Sequence, residues 1–284
     1  MEGLSLDANT KLTCLLGHPV GHSASPAIHN ASYRRLGLNA VYLAFDILRL
    51  KPAIDGLREL GAIGCNITIP HKEGVVELLD HVDEEAVLVG AVNVVRFGEE
   101  VEGFNTDIEG VRYSLKLLDA SGDKALILGA GGAARSVLAA LSGSFKMVFV
   151  TSRNFERTKA LASLCSKLGI DFHPLPWEER SSPLAEVDLV VNATPLGTGG
   201  GEFPLDLDKL RSDTAVLDLV YNPLETHLVR EAKRRGCRAI GGLKMLVRQA
   251  AESERIWFDV EPDEGIMEEA ALRFLGARLG GSEG

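Results

Sequence analysis

Short apolar runs alternate along this chain with stretches in which apolar residues recur at helical spacing, the pattern of repeated β and α units. Lys11 to Gly17 is the first strand-like run. A helix follows through Ile28, Ala31 and Tyr33 to about Leu36 and stops at Gly37. Ser25 before Pro26 reads as its N-cap, with proline at the first helical position. Val41 to Ile47 reads as a strand, Leu50 to Leu60 as a helix closed by Gly61, and Ala62 to Ile69 as a third strand. Val92 to Arg96 and Glu100 to Phe104 form two short strands around a turn at Gly98, and a helix runs from Ile108 to Leu118.

A second series begins near Asp123. Ala125 to Leu128 is wholly apolar, as in a strand buried on both faces. Lys146 to Thr151, Asp171 to Leu175, Val187 to Val191, Thr214 to Val220 and Cys237 to Ile240 continue the strands. Helices are predicted at Asn154 to Leu168 and Leu224 to Arg235. A helix carrying Met245, Leu246, Gln249, Ala250 and Trp257 follows, then one from Asp263 to Leu279 and a glycine-rich tail expected to fray. This alternation predicts an α/β protein with parallel sheets covered by helices.

The chain of 284 residues is long enough for two domains with a core each. A net charge of −10 argues against a nucleic-acid partner or an anionic membrane surface, but not against small anionic ligands held by local groups. No basic segment followed by an apolar one opens the sequence, so no signal peptide is expected, and no apolar run is long enough to span a bilayer. A cytoplasmic protein is expected. Cys14, Cys65, Cys165 and Cys237 form no C-x-x-C pair, which predicts buried free thiols. The histidines show no H-E-x-x-H or His/Cys cluster, so no metal site is expected.

The most informative chemistry lies between the Ala125–Leu128 run and the helical pattern after it. Gly129-Ala130-Gly131-Gly132-Ala133-Ala134 follows G-x-G-x-x-A, a form of the dinucleotide fingerprint, in the strand-to-helix context the motif requires. Gly129 permits the tight turn, Gly131 lets backbone amides approach a pyrophosphate, and Ala134 keeps the helix close to its strand; a plain strand–helix turn is the plainer alternative. An acidic residue belongs about 20 residues further on if the ribose carries a free 2′-hydroxyl. Ser152 and Arg153 stand there instead, with Asn154 and Arg157 following. Arginines at that place suit a 2′-phosphate, which favours NADP over NAD.

Other polar groups interrupt apolar runs where strands end. Asn66-Ile67-Thr68-Ile69-Pro70-His71-Lys72 closes the third strand, and ligands of open α/β sheets bind beyond such carboxyl ends. Lys72 is placed near the start of a helix, where the macrodipole disfavours a cation and lowers its pKa; a solvated surface lysine is the alternative. Ser23 and Ser25 beside free helix amides make a carboxylate site, or merely cap the helix. Asn93 opens a strand pair that leads to Asn105-Thr106-Asp107, one of which is expected to cap the next helix. Gln249, an amide on an otherwise apolar helical stretch, needs partners from the protein or from a ligand.

Together these residues resemble the shikimate dehydrogenase family of NADP-dependent enzymes in aromatic amino-acid biosynthesis. The resemblance runs over nearly the whole chain. It includes Ser23-Ala24-Ser25, Asn66 to Lys72, Gly90-Ala91-Val92-Asn93, Asn105-Thr106-Asp107, the glycine loop, Asn192-Ala193-Thr194-Pro195, Asp218 to Thr226 and Gly242 to Ala251. It implies an N-terminal α/β substrate-binding domain, residues 1–107 with 242–284 returning as C-terminal helices, and a Rossmann domain at 108–241. The implied reaction is reversible hydride transfer between 3-dehydroshikimate with NADPH and shikimate with NADP. Lys72 and Asp107 resemble the family's catalytic pair, and Ser23 and Ser25 its carboxylate anchors. Asn66, Thr68, Asn93, Tyr221 and Gln249 match groups around the ring hydroxyls. Gly129, Ala130, Gly131, Gly132, Ala133, Ser152, Arg153, Asn154, Arg157 and Gly242 match cofactor-binding positions. A monomer or homodimer is implied.

The chain departs from the family pattern at His71, where an aromatic is usual, and at Val94, where threonine is usual. Ser152-Arg153-Asn154 replaces the commoner Asn-Arg-Thr, and Thr198 with three glycines replaces the methionine after Gly197. A quinate/shikimate dehydrogenase using NAD would place an acid where Ser152 and Arg153 stand. An NADP-binding sensor without chemistry would have lost Lys72 or Asp107. A folate-linked dehydrogenase would leave the serine pair and Gln249 without a purpose.

Overall fold

A computed structural model of the chain describes residues 6–201 and 203–280, the last four by backbone alone. The opening residues and the tail expected to fray lie outside this range. The chain divides into two compact units: residues up to Thr106 with those from Val247 onward, and Asp107–Leu246.

The first unit opens with β1 (Lys11–Gly17), α1 (Ser25–Leu36), β2 (Ala40–Asp46), α2 (Leu50–Glu59) and β3 (Gly64–Ile67). It continues through β4 (His81–Val82), α3 (Glu84–Val89), β5 (Val94–Phe97) and β6 (Val101–Phe104). The second unit runs α4 (Asp107–Leu117), β7 (Lys124–Leu128), α5 (Gly132–Leu141), β8 (Met147–Thr151), α6 (Phe155–Lys159), α7 (Ala162–Lys167) and β9 (Asp171–Leu175). β10 (Leu189–Asn192), β11 (Ala215–Asp218), α8 (His227–Arg234) and β12 (Arg238–Ile240) complete it. α9 (Leu243–Phe258) begins in the second unit and ends in the first, to which α10 (Glu264–Gly280) also belongs.

Most expected boundaries fall within a few residues of those observed; β4 and α3 have no counterpart in the sequence expectation, and four expected features differ for local reasons. Ser25 is the first residue of α1 rather than its cap; Ala24 holds that position and donates or accepts no side-chain bond there. No α-helix begins at Lys72: the chain makes a 3-10 turn of three residues at Val76–Leu78, so the macrodipole argument for this lysine does not apply. The helix expected from Asn154 to Leu168 is broken into α6 and α7 where the Leu161 amide bonds Thr158 at 3.1 Å, a tighter turn that seats the Leu161 side chain in the core. α8 starts at His227 rather than Leu224, because the Thr226 hydroxyl accepts the Val229 amide and caps it there.

The first unit is built on a six-stranded sheet of order β2-β1-β3-β5-β6-β4. β1 pairs parallel with β2 and β3, as crossovers through α1 and α2 require, while β5 runs antiparallel to both β3 and β6. Both faces of β1 are buried. Cys14 and Leu16 join Ile54, Leu57, Cys65 and Val95 on one side, and Leu15 joins Tyr33, Tyr42, Val94 and Trp257 on the other. Gly64 has no room for a side chain, since a Cβ would lie 2.2 Å from Trp257 Nε1, which donates to the Val95 carbonyl at 3.0 Å. That indole is how α9 docks on this sheet.

In the second unit all six strands are parallel, in the order β12-β11-β10-β7-β8-β9. This is the doubly wound arrangement of dinucleotide-binding domains, with its switch point between β7 and β10. Residues 125–128 of β7 are completely buried, as the apolar run predicts. All four cysteines are free and buried. No helix among the described residues is long and apolar enough to cross a membrane.

Candidate active site

In the first unit the chain leaves β1 for β2 on one side and leaves β3 for β4, at the far edge, on the other. The loops after β1 and β3 therefore part at the carboxyl edge of the sheet, where α/β proteins bind ligands. The loops are laced together at their roots. The His18 amide donates to the Ile69 carbonyl at 2.9 Å, and the Thr68 amide to the Leu16 carbonyl at 2.9 Å. Gly17 makes this possible: a Cβ there would sit 2.3 Å from Thr68 Cγ2.

This edge gathers most of the polar residues singled out in the sequence. Ser23 Oγ accepts the Ser25 amide at 3.2 Å and lies 3.1 Å from Ser25 Oγ, so the two hydroxyls share one spot at the start of α1. Asn66, buried at the end of β3, bonds Tyr42 Oη at 2.7 Å, Ser253 Oγ at 3.0 Å and the Asn93 carbonyl at 3.1 Å. Asn93 Nδ2 reaches Thr106 Oγ1 at 3.0 Å and Gln249 Oε1 at 3.4 Å, and its Oδ1 accepts the Thr106 amide at 2.7 Å. Lys72, half-buried, is placed beside this group through its backbone, whose carbonyl accepts the Val92 amide at 2.9 Å. His71 turns its ring to the Ile47 carbonyl at 3.1 Å, so the departure from an aromatic is used to tie the loop after β3 to the end of β2.

The Asn105-Thr106-Asp107 run divides its work. Asn105 donates to the Ala91 carbonyl at 2.7 Å, and Thr106 braces Asn93. Thr106 directly precedes α4. Asp107, 4 % exposed, is the first residue of α4 and of the second unit.

In the second unit, the Gly129 turn sits at the switch point. Gly129 has φ +123° and a Cβ on it would lie 2.7 Å from the Ala193 carbonyl of the loop after β10, so only glycine fits. Gly131 caps α5 with extended backbone, and a Cβ there would meet nothing within 4 Å. Gly132 and Ala133 form the first turn of α5 beside Ala130, with their amides at the helix N-terminus, while Ala134 is fully buried. Backbone, helix end and space fit a pyrophosphate.

At the end of β8, Ser152 Oγ donates to the Asn154 carbonyl at 2.8 Å and pairs with Thr158 Oγ1 at 2.8 Å. Asn154 Oδ1 accepts the Arg157 amide at 3.2 Å, which caps α6. Ser152 and Asn154 therefore shape the turn that carries Arg153 and Arg157, both exposed. Arg153 has no hydrogen bond or ion pair among the described residues. Gly242 presses on the chain after β11, where a Cβ would come within 2.2 Å of the Leu219 carbonyl.

Several groups were given no individual role from the sequence, although Asn192 to Pro195 and Asp218 to Thr226 stand in the blocks that carry the resemblance. Asn192 and Asp218 end adjacent strands in register. Asn192 Nδ2 donates to Asp218 Oδ1 at 2.8 Å, and Thr226 donates to Oδ2 at 2.6 Å. The Val220 amide adds a bond of 3.0 Å, and Thr194 Oγ1 lies 2.6 Å from Asn192 Oδ1. This knot fixes the loops after β10 and β11, including the approach to half-buried Tyr221. Burial raises the Asp218 carboxyl above its usual range, against the three hydrogen bonds that lower it. The visible signal was a polar residue closing each of two wholly apolar strands. Tyr42, His29, Ser253 and Glu254 were likewise missed; Ser253 stands four residues after Gln249 on the same helix face.

Comparison with known proteins follows the same division. The family model described as "Shikimate dehydrogenase substrate binding domain" matches residues 15–95. "Shikimate / quinate 5-dehydrogenase" matches 113–198, and "Shikimate 5'-dehydrogenase C-terminal domain" matches 242–272. A relative from Methanopyrus kandleri named shikimate dehydrogenase (NADP(+)) is 44 % identical over 96 % of this chain and 98 % of its own. A shikimate dehydrogenase solved in complex with NADP+ superposes with a TM-score of 0.89 at 40 % identity, covering 96 % of this chain and 98 % of that one. One from Thermus thermophilus, in complex with NADP(H) and shikimate, gives 0.82 at 39 % identity over 93 % of this chain and 100 % of that one.

Proposed function

The chain belongs to the shikimate dehydrogenase family, and from that premise we propose how its own residues reduce 3-dehydroshikimate to shikimate, reversibly, with NADPH. The observation that carries the reading is the polar cluster at the carboxyl edge of β1 and β3, where Ser23, Ser25, Asn66, Asn93 and Gln249 converge in one unit. Ser23 and Ser25 hold the substrate carboxylate with paired hydroxyls. Asn66, Thr68, Asn93, Tyr221 and Gln249 take the ring hydroxyls and fix which carbon faces the cofactor.

NADPH, when bound, supplies the hydride. Gly129 to Ala133 receive its pyrophosphate, and Arg153 with Arg157 receives the 2′-phosphate that distinguishes it from NADH. The loop after β11, locked by Asp218 and braced by Gly242, frames the same end of the sheet. As the ketone takes hydride its oxygen becomes alkoxide-like, and a proton donor there stabilises the transition state. Lys72 delivers that proton. In the oxidation direction Lys72 and Asp107 act as a coupled pair that takes it back.

Replacing Lys72 by alanine tests this assignment. Turnover is expected to fall by about a hundredfold or more, since a positioned proton donor contributes ~10²–10⁴, with melting temperature and NADP binding unchanged. Near-normal turnover in the folded variant removes Lys72 from the mechanism.

A further inference from the structure

We infer that Tyr42 is a positioning residue that sets the polarity with which Asn66 meets the substrate, so that this point of the site selects a hydroxyl donor. The inference rests on the substrate site proposed above and deepens it. The direction of every hydrogen bond around Asn66 follows from atoms that have no choice. The backbone carbonyls of Asn93 and Gln249 only accept. Ser253 Oγ–H donates to the Gln249 carbonyl at 2.9 Å, which leaves its oxygen to accept from Asn66 Nδ2 at 3.0 Å. The other Nδ2 hydrogen goes to the Asn93 carbonyl at 3.1 Å. Both amide hydrogens are consumed inside the protein. The atom 2.7 Å from the Tyr42 hydroxyl is then Oδ1, and the phenol donates.

Burial holds the Tyr42 phenol well above its usual pKa, so the proton it donates stays on it. The Ser25 hydroxyl lies within reach of the same phenol oxygen. Asn66 Oδ1 thus sits on the edge nearest the carboxylate anchors with one lone pair to spare. It accepts a hydroxyl and repels a carbonyl or carboxylate oxygen.

Tyr42 has little freedom of its own. It is 0 % exposed, and its ring stacks on His29 with centroids 4.2 Å apart and planes at 15°. His29 Nδ1 bonds Glu254 Oε1 at 2.7 Å, and Glu254 Oε2 accepts from Ser32 at 2.5 Å, all three side chains being fully buried. His29 and Ser32 lie on α1, which begins with Ser25; Ser253 and Glu254 lie on α9, which carries Gln249. The buried group therefore joins the helix of the carboxylate anchors directly to the helix of a ring reader, and Tyr42 is held against that junction by the His29 ring.

The test is a double-mutant cycle on Tyr42→Phe and Asn66→Ala, with KM for shikimate and for NADP+, kcat and melting temperature measured for each chain. Tyr42→Phe is expected to raise the shikimate KM by about tenfold, the weight of one lost orienting hydrogen bond, and to leave the NADP+ KM within about twofold. In the Asn66→Ala background the same change is expected to move the shikimate KM by less than about twofold, because Tyr42 acts through Asn66. A shikimate KM unmoved by Tyr42→Phe, or raised equally in both backgrounds, overturns the inference. If the Asn66→Ala chain does not fold, Ser253→Ala replaces it: removing that hydroxyl frees the amide from its other side and raises the shikimate KM, whereas an unchanged KM overturns the inference. Ser25→Ala, run in parallel, reports on the underlying site. If it leaves the shikimate KM unchanged, the site reading itself has failed.

Discussion

Removing Arg153 separates the two cofactors. The guanidinium is exposed at the end of β8 and bonds to nothing among the described residues. The turn around it is held by Ser152, Asn154 and Thr158, none of which Arg153→Ala touches. Stability should therefore stay within about 0.5 kcal/mol of wild type, as for a surface change away from structural contacts. The loss falls on the ligand. A charge-assisted hydrogen bond is worth about 1.5–3 kcal/mol, which corresponds to a roughly tenfold to hundredfold weaker NADP+ complex. Arg157 remains as a second cation and salt screens an exposed pair, so the lower end of that range is expected. NAD+ has no 2′-phosphate and should bind the variant as it binds wild type. The assay is a pair of titrations, NADP+ and NAD+, on both chains at one ionic strength, with melting curves alongside. An equal loss for the two cofactors would place the arginine at the shared pyrophosphate or in the fold, and the case for NADP selectivity through this residue would fail.

The double replacement Ser23→Ala with Ser25→Ala should raise the KM for shikimate far more than that for NADP+; constants that rise together, or stay put, would reduce the serines to local turn formers. Asp218→Asn puts an amide where two donors and the Thr226 hydroxyl meet a carboxylate, and should cost about 1–3 kcal/mol by urea unfolding. The same variant carries a pH signature. The folded protein holds the Asp218 proton more tightly than the unfolded chain, whose value is near 3.8, so the stability this group contributes is present below that pH and is lost as pH rises through the folded value. The stability gap between wild type and Asp218→Asn should narrow with rising pH across that window; a widening gap would mean that hydrogen bonding outweighs burial at this carboxyl.

Periodicity alone was enough to place most strands and helices because central strands such as β1, β7 and β10 are buried on both faces, which makes them nearly continuous apolar runs. The glycine turn was legible for a related reason: Gly129 must accept positive φ and the approach of Ala193, and no other residue type does both. The break between α6 and α7 was not legible, because Leu161 fits the apolar spacing of one long helix and also fills the core from a tighter turn. Lys72 was expected near a helix start, yet the segment after it closes as a 3-10 turn. The polar groups behind the site were hidden for a different reason. Tyr42, Ser253 and Glu254 interrupt no motif, and their partners lie far away in the sequence: 24 residues separate Tyr42 from Asn66, 187 separate Asn66 from Ser253, and 225 separate His29 from Glu254. Only the fold brings them together.

Oxidation of shikimate with NADP+ is tested most directly by one rate comparison. NADPH or NADH formation is followed with shikimate, with quinate and without substrate, each with NADP+ and with NAD+. Shikimate with NADP+ should give the highest kcat/KM of the set, and the substrate-free reactions no turnover. A higher kcat/KM for quinate with NAD+, or no turnover of shikimate by the folded protein with either cofactor, would contradict it.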